Sequence, residues 1–180
     1  MMKKAVILIL IGLMMLTLGA CSLIPSGGDK TDATKDVSSS DGLLQITVPE
    51  SYKESDILNA DANLQLMNAA MEQYTITIFE SNVDFSDDFT LDDYSDAVSS
   101  SMGGVMTSPE FSDIEALTIN GYDAKQYTLS GEIEKIKIKY LVTLVGTDNG
   151  YYQIISWSLQ SRFDNALDTF KQIAESFTEL

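Results

Sequence analysis

Two turn signals divide the second half of the chain. Asn120-Gly121 and Thr147-Asp148-Asn149-Gly150 separate stretches rich in β-branched and aromatic residues. Asn-Gly is the dipeptide that most readily adopts the positive φ angles of a two-residue hairpin loop. Residues 114–119, 122–130, 134–145 and 151–159 are therefore predicted to be consecutive strands, and strands joined by hairpins build a mainly antiparallel sheet.

The rest of the chain fits around that sheet. Residues 43–48, ahead of Pro49, and residues 63–68 read as further strands, as do residues 74–79, where Thr and Ile alternate. Thr90 is placed to cap a helix whose first turn holds Asp92 and Asp93. Leu91, Tyr94, Ala97, Val98 and Met102 then follow helical spacing up to Gly103-Gly104. From Ser161 the period changes again, and Phe163, Leu167, Phe170, Ile173, Ala174 and Phe177 fall on one helical stripe. A sheet covered by two such helices is an α+β sandwich.

The first residues carry an address. Met1-Met2-Lys3-Lys4 is a short basic start, and the apolar run over residues 5–18 ends in Leu18-Gly19-Ala20-Cys21. That is the order of a secretory signal, and the run is shorter than the ~20 residues of a spanning helix. Leu18-Gly19-Ala20-Cys21 resembles the lipobox of bacterial lipoproteins, which implies that residues 1–20 are a signal peptide and that Cys21 receives diacylglycerol. A doubly acylated Cys21 would hold the chain at the extracytoplasmic face of a bacterial membrane. Residues 22–42 are poor in large apolar side chains and without a period, so residues 21–42 read as lipidated Cys and flexible tether. Such a 21-residue tether would have a root-mean-square span of about 25 Å and a limit of about 70 Å. Residues 43–180 remain as a single α+β domain.

Composition narrows the function. The 180 residues contain no His, so histidine-based nucleophile systems and imidazole metal sites are excluded. One Cys excludes an internal disulfide and a multi-thiolate zinc site. The net charge of −16 opposes nucleic-acid binding, which depends on Lys and Arg neutralising phosphates. No catalytic residue and no cofactor is expected.

Two charged patterns are candidate sites. Asp84, Asp87 and Asp88, followed by Asp92, Asp93 and Asp96, form an oxygen-rich stretch over residues 84–96. Calcium takes such hard ligands, but the spacing lacks the Gly and closing Glu of an EF-hand. A macrodipole-favoured helix start preceded by a solvated loop accounts for the same residues. Lys135, Lys137 and Lys139 alternate with apolar residues and so share one strand face. They are candidates for contact with a partner, although lysines on a strand also serve to protect an exposed edge.

The opening Leu44-Gln-Ile-Thr-Val-Pro-Glu-Ser-Tyr52, the hairpin Ile119-Asn-Gly-Tyr-Asp-Ala-Lys-Gln-Tyr127, the long strand into Gly150-Tyr-Tyr-Gln-Ile154 and the final Phe-rich helix resemble the PsbP and DcrB-like lipoprotein superfamily. The resemblance implies six or seven antiparallel strands flanked by helices and no particular reaction. Together these readings give a membrane-anchored, non-catalytic envelope lipoprotein with a partner-binding or accessory role, an envelope protein being the expected partner. The alternative is a calcium- or ligand-binding module using residues 84–96.

Overall fold

The computed structural model describes residues 33–180. The signal segment and Cys21 lie outside the described residues. In chain order the elements are β1 (Thr34–Ser38), β2 (Leu44–Pro49), β3 (Lys53–Glu54), β4 (Leu64–Asn68) and β5 (Gln73–Ser81). A 3-10 turn at Asn82–Asp84 leads to α1 (Leu91–Gly104). Then come β6 (Thr107–Phe111), β7 (Glu115–Ile119), β8 (Tyr122–Ile133), β9 (Ile136–Gly146), β10 (Gly150–Leu159), α2 (Phe163–Glu175) and β11 (Thr178–Glu179). The α+β architecture and both helices match the expectation from sequence.

The large sheet has the order β3-β4-β5-β10-β9-β8-β6, with β7 also pairing with β8, and every pairing in it is antiparallel. Its eight strands exceed the expected six or seven, and β1, β2 and β11 form a separate three-stranded sheet. The additional strands are short or exposed: β6 is solvent-exposed along its length and contains Pro109. Strands of that kind carry neither alternation nor β-branched enrichment.

The molecule has three layers. On one face of the large sheet, Tyr94, Val98 and Met102 of α1 pack on Tyr127, Val142, Leu144 and Ile155. On the other, Ile46 and Val48 of β2 and Ile173 and Ala174 of α2 pack on Val145, Tyr152 and Ile154, while Phe163 and Phe170 cover Leu141. Residues 140–145 of β9 are all buried, because each face of that strand meets a different layer. Polar groups on these covered strands pair with each other: Thr75 and Ser156 share a hydrogen bond of 2.9 Å, and Gln126 Nε2 donates to Thr143 Oγ1 at 2.8 Å.

The ordered domain begins earlier than the sequence suggests. Residues 34–38, expected to be flexible, pair with β2 from Thr34 opposite Pro49 to Ser38 opposite Gln45. Val37 is buried, and Ser39 Oγ accepts from the Leu43 and Leu44 amides to close the connecting turn. One buried Val suffices because the ladder to β2 satisfies the backbone, which composition cannot register.

This boundary is testable by truncation. Removing residues 1–33 should leave the thermal midpoint unchanged. Removing residues 1–38 strips the ladder and Val37, and should lower the midpoint by about 2–4 °C for each kcal/mol lost. Equal midpoints for the two truncated proteins would place the start of the domain after Ser38.

Candidate functional site

The strands run between two ends of contrasting charge. One end gathers the β4–β5 turn, the β8–β9 hairpin and the β10–α2 turn, with Thr34 beside them opposite Pro49. The other gathers the loop after β5, the first turn of α1, the Asn120-Gly121 hairpin and the turn at residues 147–149.

The acidic segment lies at this second end, and its aromatic residues determine its shape. Phe85 and Phe89 stack with ring centroids 4.6 Å apart, and both meet Tyr151 edge-on, at 5.3 and 5.8 Å. Tyr151 in turn stacks on Tyr94 at 4.6 Å and donates its hydroxyl proton to the Phe89 carbonyl at 2.8 Å. Two phenylalanines thus pin the loop to the sheet and leave its carboxylates outside. The recurrence of Phe at a four-residue interval within the acidic run is the sequence signal for this anchoring.

The carboxylates do not converge. Asp88 accepts from Ser86 Oγ, and Asp92 pairs with Lys125. Asp93 completes a capping box, accepting from the Thr90 amide and hydroxyl while the Asp93 amide donates to Thr90 Oγ1. Asp84 and Asp87 are solvent-exposed. Among the described residues no group of three or more acidic or thiol side chains is arranged to hold a metal ion. The calcium reading of Asp84, Asp87 and Asp88 therefore has no geometric basis in the described residues.

The rest of this end is stitched together by side chains that the sequence does not single out. Glu179 accepts from Thr147 Oγ1 at 2.9 Å and from the Tyr152 hydroxyl at 3.0 Å, tying β11 to the large sheet. Burial, reinforced by Glu179, pushes the Tyr152 hydroxyl above its ordinary range. Asn120 Nδ2 donates to the Phe177 carbonyl at 2.7 Å. Gly150 is required here, since a Cβ would stand 2.2 Å from the Glu80 carbonyl oxygen.

Beneath α1 lies a buried polar group. Tyr94 donates to Glu80 Oε2 at 2.5 Å, and Gln153 Nε2 donates to Glu80 Oε2 at 3.1 Å and to the Tyr94 hydroxyl at 2.9 Å. Burial first, and the Glu80 carboxylate second, hold the Tyr94 proton firmly in place. These bonds fasten α1 to β5 and β10. They position no nucleophile beside a base.

The lysine face is only partly as expected. Lys135 lies in the β8–β9 turn with φ 71°, while Lys137 and Lys139 are on β9. That strand is flanked by β8 and β10, so the lysines do not guard a sheet edge. Lys137 lies 3.9 Å from Glu132, and Lys139 lies 3.9 Å from Asp164 with its ammonium 4.8 Å from the centre of the Phe163 ring. Lys139 is a packing residue at the start of α2, whereas Lys135 and Lys137 are exposed. On β10, Ile155 is core and Trp157 is half-buried between Tyr74 and Tyr140.

With the geometry established, the fold can be set beside known proteins. No protein-family model matches, and no curated protein matches. Among solved structures, cyanobacterial PsbP (CyanoP) from Synechocystis sp. PCC 6803 is similar with a TM-score of 0.63 at 15% identity, over 91% of this chain and 99% of that one. LpqN, involved in cell envelope biogenesis of Mycobacterium tuberculosis, is similar with a TM-score of 0.59 at 14% identity, over 84% and 92%. A Pseudomonas aeruginosa protein of unknown function gives 0.52 at 7%, over 79% and 94%. At such identities the likeness is one of fold, and the fold of this chain is the PsbP-like α+β sandwich.

Two predictions follow from the charged groups. Hydrogen bonds from the Thr90 side chain and amide hold the Asp93 carboxyl below its ordinary 3.8. Its contribution to stability is therefore complete above that value and is lost as pH falls through the lower folded value. Asp93→Asn should destabilise the protein at neutral pH and flatten the acid limb of a midpoint-against-pH curve below about pH 4. An unchanged acid limb would count against the box. For the lysines, Lys139→Gln should cost about 0.5–1 kcal/mol in urea unfolding, while Lys135→Gln and Lys137→Gln stay within about 0.5 kcal/mol.

Proposed function

We propose that this chain is a lipid-anchored accessory protein of the bacterial cell envelope, attached through Cys21, whose domain binds a partner protein and performs no catalysis. The observation that carries the reading is Leu18-Gly19-Ala20-Cys21 closing a short apolar run, a few residues before a folded domain that begins at Thr34. Among the described residues no helix is long and apolar enough to cross a membrane.

The fold lends support of a second kind. LpqN, which shares it, is described as involved in cell envelope biogenesis, and a place in the envelope fits a chain with a secretory start. The polar chemistry points the same way. The hydrogen bonds of Glu80 and Glu179 are taken up in holding elements together, and the acids of residues 84–96 ride on a pinned loop. A folded domain on a short tether raises its own concentration near membrane-bound partners, which is the physical advantage of an anchored binding module.

Expression of the full chain and of Cys21→Ala in a bacterium, followed by membrane fractionation, tests the anchor. The parent should sediment with membranes and the variant should move to the soluble fraction. A variant that remains with the membrane would defeat the anchor reading. Crosslinking in the same cells tests the partner role, with one discrete adduct expected for the anchored form and a weaker one for the variant.

A further inference from the structure

We propose that the domain stands on the bilayer in one orientation, with the end bearing Thr34 and the β8–β9 hairpin toward an anionic lipid surface and the carboxylate-rich end turned away. The inference rests on attachment through Cys21. Its own basis is where the chain joins the fold and how charge is distributed along the strands.

Thr34 sits opposite Pro49, and Ser51, two residues further on, accepts from Asn68 Nδ2 at the end of β4, next to the β4–β5 turn. The tether therefore joins the domain at the end that carries the β4–β5 turn. Twelve residues, 22–33, separate Cys21 from Thr34. Twelve residues reach at most about 42 Å. The central strands β9 and β10 are about 35 Å long. Turning the domain over would require the tether to run back along that whole length, close to full extension. The reach that a 21-residue tether would have allowed is lost because residues 34–38 belong to a strand.

Charge acts in the same direction. At the tether end cations and anions are mixed: Arg162 pairs with Glu72 at 2.8 Å, Lys137 lies 3.9 Å from Glu132, and the exposed Lys53 and Lys135 stand among the exposed Glu50, Glu54 and Glu134. At the far end Asp84, Asp87, Asp88, Asp93, Asp123 and Asp148 are exposed. Lys125 is already paired there with Asp92. A surface of anionic lipids repels the far end within a Debye length of about 8 Å and leaves the balanced end free to approach. Exposed apolar side chains do not choose between the ends, since Met71 lies at one and Val83 at the other.

The test uses the chain from Cys21 onward, coupled through the Cys21 thiol to a maleimide lipid in nanodiscs of phosphatidylcholine and phosphatidylglycerol. A paramagnetic headgroup lipid is included, and amide relaxation enhancement is read by NMR. Enhancement at residues 70–72 and 134–136 should exceed that at residues 83–88 and 120–121 by about threefold, and by more with phosphatidylglycerol than without it. Equal enhancement at the two ends, or the reverse order, overturns the proposal. Chemical coupling makes the result independent of lipidation in the cell, so failure of the Cys21→Ala fractionation and failure of this orientation are separate outcomes.

Discussion

The constraint on which the rest depends is the burial of β9 on both faces. Residues 140–145 have no solvent side, so two independent covers must exist and must sit on opposite faces of the sheet. The helix α1 supplies one through Tyr94, Val98 and Met102. The other needs more than α2: Phe163 and Phe170 reach Leu141, but Val145 and Tyr152 are closed over by β2 and Phe177. The small sheet exists to complete that second cover. Its β11 is held by Glu179 bonds to Tyr152 and Thr147, so the chain terminus joins the layers it separates.

Covering a sheet in this way consumes polar groups as well as apolar ones. Thr143, Thr75 and Ser156 are buried beneath the second cover and find partners across the strands. Under α1, Glu80, Tyr94 and Gln153 form a shared network whose loss would leave a carboxylate beside unpaired donors. The acidic loop belongs to the same economy of structure. Its aromatic rings are core and its carboxylates are surface, and the two functions alternate along the loop. Charge is left at one end of the molecule as a by-product of where the loops fall.

Much of this was legible in the residues themselves. The Asn120-Gly121 hairpin and the Thr90 cap are local chemistry, written within a few residues, and both match the structure, while the apolar stripe of α2 holds from Phe163 to Ala174 and Phe177 lies beyond the end of the helix at Glu175. The candidate residues fared unevenly. The lysine alternation was correct for Lys137 and Lys139, but their place on an inner strand was hidden, because strand order arises from contacts far apart in the chain. What Phe85 and Phe89 anchor to is not written in local spacing, because the ring they pack on, Tyr151, lies far along the chain.

The sequence alone determined both helices, the antiparallel hairpins and the absence of histidine chemistry, because each depends on residue type or on short spacing. Only the tertiary structure decided that residues 34–38 are a strand, that β11 closes the second layer, that the aspartates disperse and that Thr34 lies at the end opposite them. These are long-range outcomes. A weakly patterned segment becomes ordered when a partner strand satisfies its backbone, and a charge acquires meaning from the end of the sheet to which the fold delivers it.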